Sequence, residues 1–270
     1  MEYKLINCES VIKQITKKDS LFHGSYCVDP YQNCEFGCQY CDSSFEKIIY
    51  VKKNIKEVLE KELQTINNGR IIIGSVNDPY QHSENKFQLT RTILETLQDY
   101  NFPCHILTKS PLILKDLPLL SHLESIITIS MSSLNEQVIR IFEPDVPAPT
   151  TRLQTLQTLR NHGLKAGLAL IPILPYIVES EIESIFQAAY DANAQYLLHK
   201  HLELKGDQEQ HFRNLIKTHY PHLLPNYDTL YENTFKPKEQ YLQEINAVLK
   251  KYCKKFNISD TIPLYTMKKN

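Results

Sequence analysis

Six short apolar runs alternating with helical patterns constrain this chain more than any other feature of its sequence. The runs fall at residues 25–28, 70–75, 103–109, 125–131, 164–171 and 195–199. Between them, apolar residues recur at helical spacing. Ile55, Val58, Leu59, Leu63 and Ile66 share one face, as do Leu89, Ile93, Leu94 and Leu97, and similar stretches follow at 112–123, 135–142, 150–162 and 179–193. Continuous apolar strands interleaved with helices predict a parallel sheet covered by helices. A doubly wound open sheet and a curved partial barrel both satisfy that pattern, and both place active residues at the C-terminal ends of the strands. After Lys200 the alternation stops. Two helices, about 207–218 and 238–256, are joined by a Pro- and Tyr-rich link at 220–237.

Between the first and second runs lies Asn33-Cys34-Glu35-Phe36-Gly37-Cys38-Gln39-Tyr40-Cys41, which gathers three of the chain's seven cysteines into eight residues. Thiolates that close together are metal ligands. Three of them can hold three irons of a [4Fe–4S] cube and leave the fourth iron open to a small molecule. A zinc site is the alternative, with Cys27 or His23 as fourth ligand, in a binding protein without catalysis. A disulfide framework fits poorly, because the cysteine count is odd and the chain far exceeds the size of small bridged scaffolds. Glu35, Gly37, Gln39 and Asp42 make the segment polar, unlike the apolar surroundings of inert buried thiols.

No run approaches 18 uncharged apolar residues and the N-terminus shows no targeting pattern, so a cytoplasmic protein with no membrane partner is expected. The formal net charge of −1 lacks the basic footprint of a dedicated nucleic-acid binder. Locally the balance differs. From Lys236 onward, eight lysines (236, 238, 250, 251, 254, 255, 268 and 269) face three carboxylates, a net of +5. Such a run is either a solvated helix face or a surface for phosphates.

The polar residues at the predicted strand ends are Ser75, Asn77 and Asp78; Thr108, Lys109 and Ser110; Ser130, Ser132 and Ser133; and, on the last strand, His199 and His201. Together they offer a cation, carboxylate and amide acceptors and short hydroxyls, the groups that a zwitterionic ligand with a ribose requires.

The spacing C-x3-C-x2-C with Tyr40 before the last cysteine resembles the cluster loop of the radical S-adenosylmethionine (SAM) superfamily. Asp29-Pro30-Tyr31, Asn77-Asp78-Pro79-Tyr80-Gln81, Thr108-Lys109-Ser110, Ser130 with Ser132, Glu143-Pro144, Arg152-Leu153 and Pro172-Ile173-Leu174-Pro175 follow the order seen in its spore photoproduct lyase-like branch. The likeness covers roughly residues 25–200 and implies an α/β fold, a partial (β/α)6 TIM-like barrel of parallel strands. Residues 1–24 would then be an N-terminal extension, 25–200 the barrel, and 201–270 a helical C-terminal flank of the same domain. The resemblance implies a [4Fe–4S] cluster on Cys34, Cys38 and Cys41, and SAM held by Ser75, Lys109 and Ser130 or Ser132, with Asn77 and Asp78 beside them. An enzyme is expected that cleaves SAM reductively to a 5′-deoxyadenosyl radical and acts on a nucleic-acid lesion or modified nucleotide. An electron donor such as flavodoxin or ferredoxin is implied, and a monomer is expected. Peptide or protein modification is the alternative within the superfamily. One departure stands out. The lyase uses an additional barrel cysteine as hydrogen-atom donor, and no cysteine lies between Cys41 and Cys104. Tyr40 and Tyr80 are the candidate catalytic residues, with Tyr31 and Tyr176 as further tyrosines able to relay a hydrogen atom.

Overall fold

The structure, a computed structural model, describes residues 1–44 and 46–263. Its strands are β1 (Glu2–Ile6), β2 (Lys13–Gln14), β3 (Tyr26–Val28), β4 (Tyr31–Gln32), β5 (Ile48–Lys52), β6 (Ile71–Ile73), β7 (Cys104–Thr108), β8 (Ser125–Met131), β9 (Lys165–Ile173) and β10 (Leu197–His201). The helices are α1 (Ile55–Leu63), α2 (Glu84–Phe87), α3 (Leu89–Asp99), α4 (Leu117–His122), α5 (Glu136–Phe142), α6 (Pro149–Asn161), α7 (Ile182–Asp191), α8 (Gly206–His219), α9 (Leu224–Leu230) and α10 (Glu239–Phe256).

The six predicted runs form one sheet in the order β10-β9-β8-β7-β6-β3, with every neighbouring pair parallel, and β2 adds an antiparallel edge. This is the partial barrel, open between β10 and β2. In-register partners on parallel strands share a face, so the two faces can be read directly. Ile71, Ile73, Ile106, Ile127, Ile129, Leu168 and Leu170 belong to the main apolar core. Cys104 lies fully buried in that core, a small apolar residue as its early position in the strand predicts. The alternate residues line the concave face and include Cys27, Ile72, His105, Leu107, Thr128, Ser130 and Ala169.

Residues 1–24, expected as an N-terminal extension, contribute two strands. β1 pairs in parallel with β5, from Glu2↔Ile48 to Ile6↔Lys52, and β4 completes this second sheet. β1 is largely solvent-facing on both sides, which is why no apolar alternation marks it. The following segment closes the floor of the barrel. Phe22 stacks on His105 with ring centres 4.3 Å apart, while Leu21 and Phe22 pack on Ile126, Ala169 and Leu198.

The tail adds α8, α9 and α10. α10 runs from mouth to floor: Tyr241 near its start donates to Glu179 at 2.6 Å, beyond the C-terminal end of β9. Past its end, Ser259 O accepts from Leu197 N at 2.8 Å, at the N-terminal end of β10. No helix among the described residues is long and apolar enough to cross a membrane.

Candidate active site

The loop 33–41 leaves β4 at the C-terminal end of the sheet and is held from three sides. The side chain of Gln81 accepts from Glu35 N at 2.8 Å and donates to Asn33 O at 3.1 Å. Glu35 in turn accepts from Tyr3 and from Ser83 N, so β1 and the loop after β6 clamp the same turn. From the third side, α8 contributes Gln208, whose amide donates to Tyr40 O, and His211, which bonds the Gln39 side chain. Gly37 sits at φ +62° with a Cβ position 3.0 Å from Asp145, so a larger residue there is strained by its backbone alone.

The three thiols line one cavity together with Phe36, Tyr40, Gly74, Ser75, Val76, Asn77, Asp78, Leu107, Thr108, Lys109 and Ser130. These are the ends of β6, β7 and β8, as the strand periodicity predicts. The loops that carry them are tied to one another in sequence. Asp29 accepts from Ser75 Oγ at 3.0 Å and Val76 N at 3.2 Å, while Asn77 Nδ2 donates to Tyr31 O at 3.1 Å. Asp78 accepts from Thr108 Oγ1 at 2.6 Å, Lys109 N at 2.7 Å and Tyr80 N at 2.9 Å. Carboxylates thus fix the backbone of each neighbouring loop and set the wall of the cavity.

Charge is concentrated beneath this wall. Glu143 and Arg152 are fully buried and 2.6 Å apart, off the hydrogen-bond direction, and Glu143 also accepts the Tyr40 hydroxyl. Arg152 donates to Pro147 O at 2.7 Å and Ser130 O at 3.3 Å, which ties the pair to the end of β8. Burial alone would raise the Glu143 carboxyl, but Arg152, then Lys109 and Tyr40, hold it below the ordinary value. Burial likewise opposes the Lys109 ammonium, yet Cys38 and Glu143 outweigh that and raise its pKa. Tyr40 is pushed well above an ordinary phenol by burial, Cys38 and Glu143.

The donor set fits an iron–sulfur cube. All three cysteines are free thiols, and the amides of Phe36 and Asp78 hydrogen-bond the Cys34 sulfur. Burial pushes Cys34 up to about 12 and raises Cys38 further. Thiolates so buried need a compensating cation, which bound iron supplies. The three thiols share the wall of one cavity, as a cube held on three thiolates requires. Neither of the expected fourth zinc ligands is in the lining of that cavity. Cys27 hydrogen-bonds Ser75 from β3, and His23 lines a cleft with Lys17 and Lys18. Asn77 Oδ1 is buried without a partner on the cavity wall, an acceptor left for a ligand.

Several expected residues are not brought to the cavity. Tyr80 is 1% exposed and donates to Asp116 at 2.9 Å, facing a separate polar cleft with Glu84, Arg91 and Lys115. The Asp78 turn that accepts Tyr80 N directs its ring outward. Tyr31 donates to buried Glu84, and Tyr176 packs against Tyr227 and Tyr241. Ser132 lies beyond the end of β8, fully buried, and is absent from the cavity lining where Ser130 is present. His199 and His201 face α10: His201 bonds Asn246 at 3.0 Å, and His199 lies near Lys250. Tyr40 is the expected tyrosine that does line the cavity. The bracing residues Gln208 and His211 carry no signal in the sequence, because their partners lie some 170 positions away.

The comparisons with known proteins bear on this arrangement. The family described as the radical SAM superfamily matches residues 28–189, more than half of the chain. An uncharacterized protein of Methanocaldococcus jannaschii is 28% identical over 239 residues, covering 84% of this chain and 86% of that protein. An uncharacterized protein of Mycobacterium tuberculosis is 26% identical over 245 residues, covering 83% and 72%. Among solved structures, spore photoproduct lyase complexed with dinucleoside spore photoproduct has a TM-score of 0.72 at 16% identity, covering 94% of this chain and 79% of that one. Streptococcus suis SuiB bound to S-adenosylmethionine has a TM-score of 0.59 at 10% identity, covering 86% and 48%. The fold is that of spore photoproduct lyase, and by the family match the chain belongs to the radical SAM superfamily.

Proposed function

We propose that Cys34, Cys38 and Cys41 hold a [4Fe–4S] cluster and that SAM binds across the same cavity. The observation that carries this reading is the shared lining: three thiols of one loop and the polar ends of β6, β7 and β8 face a single space. Bound there, a cluster of this type supplies the electron that splits the C–S bond of SAM and yields a 5′-deoxyadenosyl radical. The chain's own residues bind and orient. Lys109 pairs with the ligand carboxylate, Asn77 Oδ1 and Asp78 accept from its ammonium, and Ser75 and Ser130 offer hydroxyls to its polar groups. Tyr40 closes one wall, its hydroxyl fixed by Glu143, and remains the catalytic candidate. Gln208 and His211 hold the thiol loop against α8.

A nucleic-acid lesion or modified nucleotide is the proposed substrate. The support is the fold it shares with spore photoproduct lyase, whose solved forms include one with bound AdoMet and dinucleoside spore photoproduct. The missing barrel cysteine separates the reaction from that of the lyase: no thiol lies between Cys41 and Cys104, an interval that includes all of β6. Of the lysine-rich tail, Lys268 and Lys269 lie outside the described residues. Lys250, Lys251, Lys254 and Lys255 line a shallow groove on the floor half of α10, while Lys236 and Lys238 precede its mouth end. A one-electron donor such as flavodoxin or ferredoxin, a monomeric state and a cytoplasmic location complete the proposal.

The test is reductive cleavage. Protein reconstituted without oxygen and reduced with dithionite is expected to convert SAM to 5′-deoxyadenosine slowly in the absence of substrate. Cys34→Ala, Cys38→Ala or Cys41→Ala should abolish it, and an active triple variant would overturn the assignment.

A further inference from the structure

Beyond the C-terminal end of β10, a second surface is left unused by the cavity. Phe235 is 46% exposed although its backbone is fixed, Leu204 N donating to Phe235 O at 2.8 Å. Two ammonium groups flank the ring: Lys205 Nζ lies 4.9 Å from its centre and Lys236 Nζ 5.5 Å. Those two lysines and Lys200 all surround one carboxylate, Glu203, at 2.6, 3.7 and 3.9 Å, so the group carries a net charge of +2. A large aromatic face in water and three cations sharing one anion are both unfavourable as they stand. A ligand that brings a planar face and negative charge relieves both.

The patch stands at the rim of the mouth. Lys205 caps α8, and three residues later Gln208 donates to Tyr40 O on the thiol loop. Those three residues amount to less than one helical turn, about 5.4 Å. An acidic peptide would supply charge without a stacking face. A nucleic-acid strand supplies a planar base and a phosphate at every step, the combination that aromatic platforms with flanking cations bind. An arriving base displaces one ammonium from the ring, and the flexible lysine stem carries that ammonium to the adjoining phosphate.

We propose that Phe235, with Lys205, Lys236 and Lys200, is a stacking platform for one unpaired base of a nucleic-acid strand, which it holds at the rim of the cavity. The inference deepens the proposed function and rests on reading the cavity as the reactive site, but strand binding itself does not require the cluster.

Fluorescence anisotropy on the anaerobically reconstituted full chain tests it, with labelled single strands of about 12 nucleotides, within the range that such platforms cover. DNA, RNA and duplex DNA are the separate arms. Single strands should bind more tightly than duplex. Phe235→Leu, which keeps an apolar side chain and removes the ring, should weaken single-strand binding by about 5- to 150-fold, and Phe235→Tyr should bind like the native protein. Lys205→Ala with Lys236→Ala should flatten the log–log salt slope by about 1.4, two phosphate contacts at about 0.7 each. Substrate-independent SAM cleavage should be the same in all these variants. The platform is overturned if no strand binds at low salt, if Phe235→Leu binds like the native protein, if the salt slope is unchanged, or if polyglutamate competes as well as an oligonucleotide. A native protein that binds strands in this pattern yet takes up no iron would overturn the cavity reading and leave the platform standing.

Discussion

The pair Glu143–Arg152 offers the sharpest test of how the cavity is built. Replacing Arg152 with Met preserves much of the volume and removes the charge, leaving Glu143 fully buried with Lys109 and Tyr40 as its remaining partners. Breaking a buried pair by removing one member costs about 3–5 kcal/mol, because the other charge stays in a medium that cannot solvate it. Arg152 also donates to Pro147 O and Ser130 O, so two backbone acceptors lose their donor. For 270 residues, an unfolding entropy of about 2.1 cal/mol/K per residue converts that loss into a Tm lowered by about 5–9 °C. Glu143→Gln should cost as much, since it leaves the fully buried Arg152 without its ion-pair partner. The double variant should cost less than the sum of the singles, with a coupling of about 0.5–3 kcal/mol. The pH dependence follows from the sign of the Glu143 shift. Its folded pKa lies below the ordinary 4.5, so its stabilisation is complete above that value and is lost as pH falls through the folded pKa. The gap between native protein and Glu143→Gln should therefore narrow in acid. Circular dichroism melts measure all of this. Single variants melting within about 2 °C of the native protein, a shift of roughly 1 kcal/mol or less at this chain length, would refute the reasoning, as would strictly additive losses.

Three further outcomes follow from the geometry. Lys109→Ala should weaken SAM binding by about 10- to 150-fold, the loss of one charge-assisted contact of about 1.5–3 kcal/mol; an unchanged affinity by titration calorimetry removes Lys109 from the site. Gly74→Ala puts a Cβ 2.5 Å from Pro79 and 2.6 Å from Leu107 O at φ +85°, so it should destabilise the chain by about 2 kcal/mol or more and displace the loop 75–78; a melt like the native one contradicts this. Gln208→Ala should cost about 1 kcal/mol and hasten bleaching of the cluster absorbance in air, because α8 no longer braces Tyr40; equal bleaching rates would confine Gln208 to a packing role.

The sheet was legible because parallel strands buried on both faces read as continuous apolar runs, and β6, β7, β8 and β9 are buried along nearly their whole length. The thiol loop was legible because three cysteines in eight residues have few uses. The second sheet was not, since β1 is a solvent-washed edge strand whose pairing with β5 crosses more than 40 residues. Misplaced site residues have two causes: spacing gives the face of a residue only while the strand lasts, and it does not say which face is the concave one. Ser130 is inside β8 and reaches the cavity, whereas Ser132 lies beyond it. His199 and His201 keep a common face, but it is the helix-covered one, and Lys200 holds the concave side. Asp29-Pro30-Tyr31-Gln32 and Asp78-Pro79-Tyr80-Gln81 are the same four residues, and they show related chemistry at both sites. Asp29 and Asp78 each accept backbone amides of a neighbouring loop, and Tyr31 and Tyr80 each donate to a buried carboxylate. Tyr80 thereby faces Asp116 and not the thiol cavity.

Metal and sulfide content tests the central claim most directly. Protein reconstituted with iron and sulfide in the absence of oxygen should bind about four irons and as many sulfides per chain, as one cube on three thiolates requires. Cys34→Ala, Cys38→Ala and Cys41→Ala should each abolish that content, while alanine at Cys8, Cys27, Cys104 or Cys253 leaves it unchanged. Stoichiometric zinc without iron in protein purified anaerobically would contradict the account.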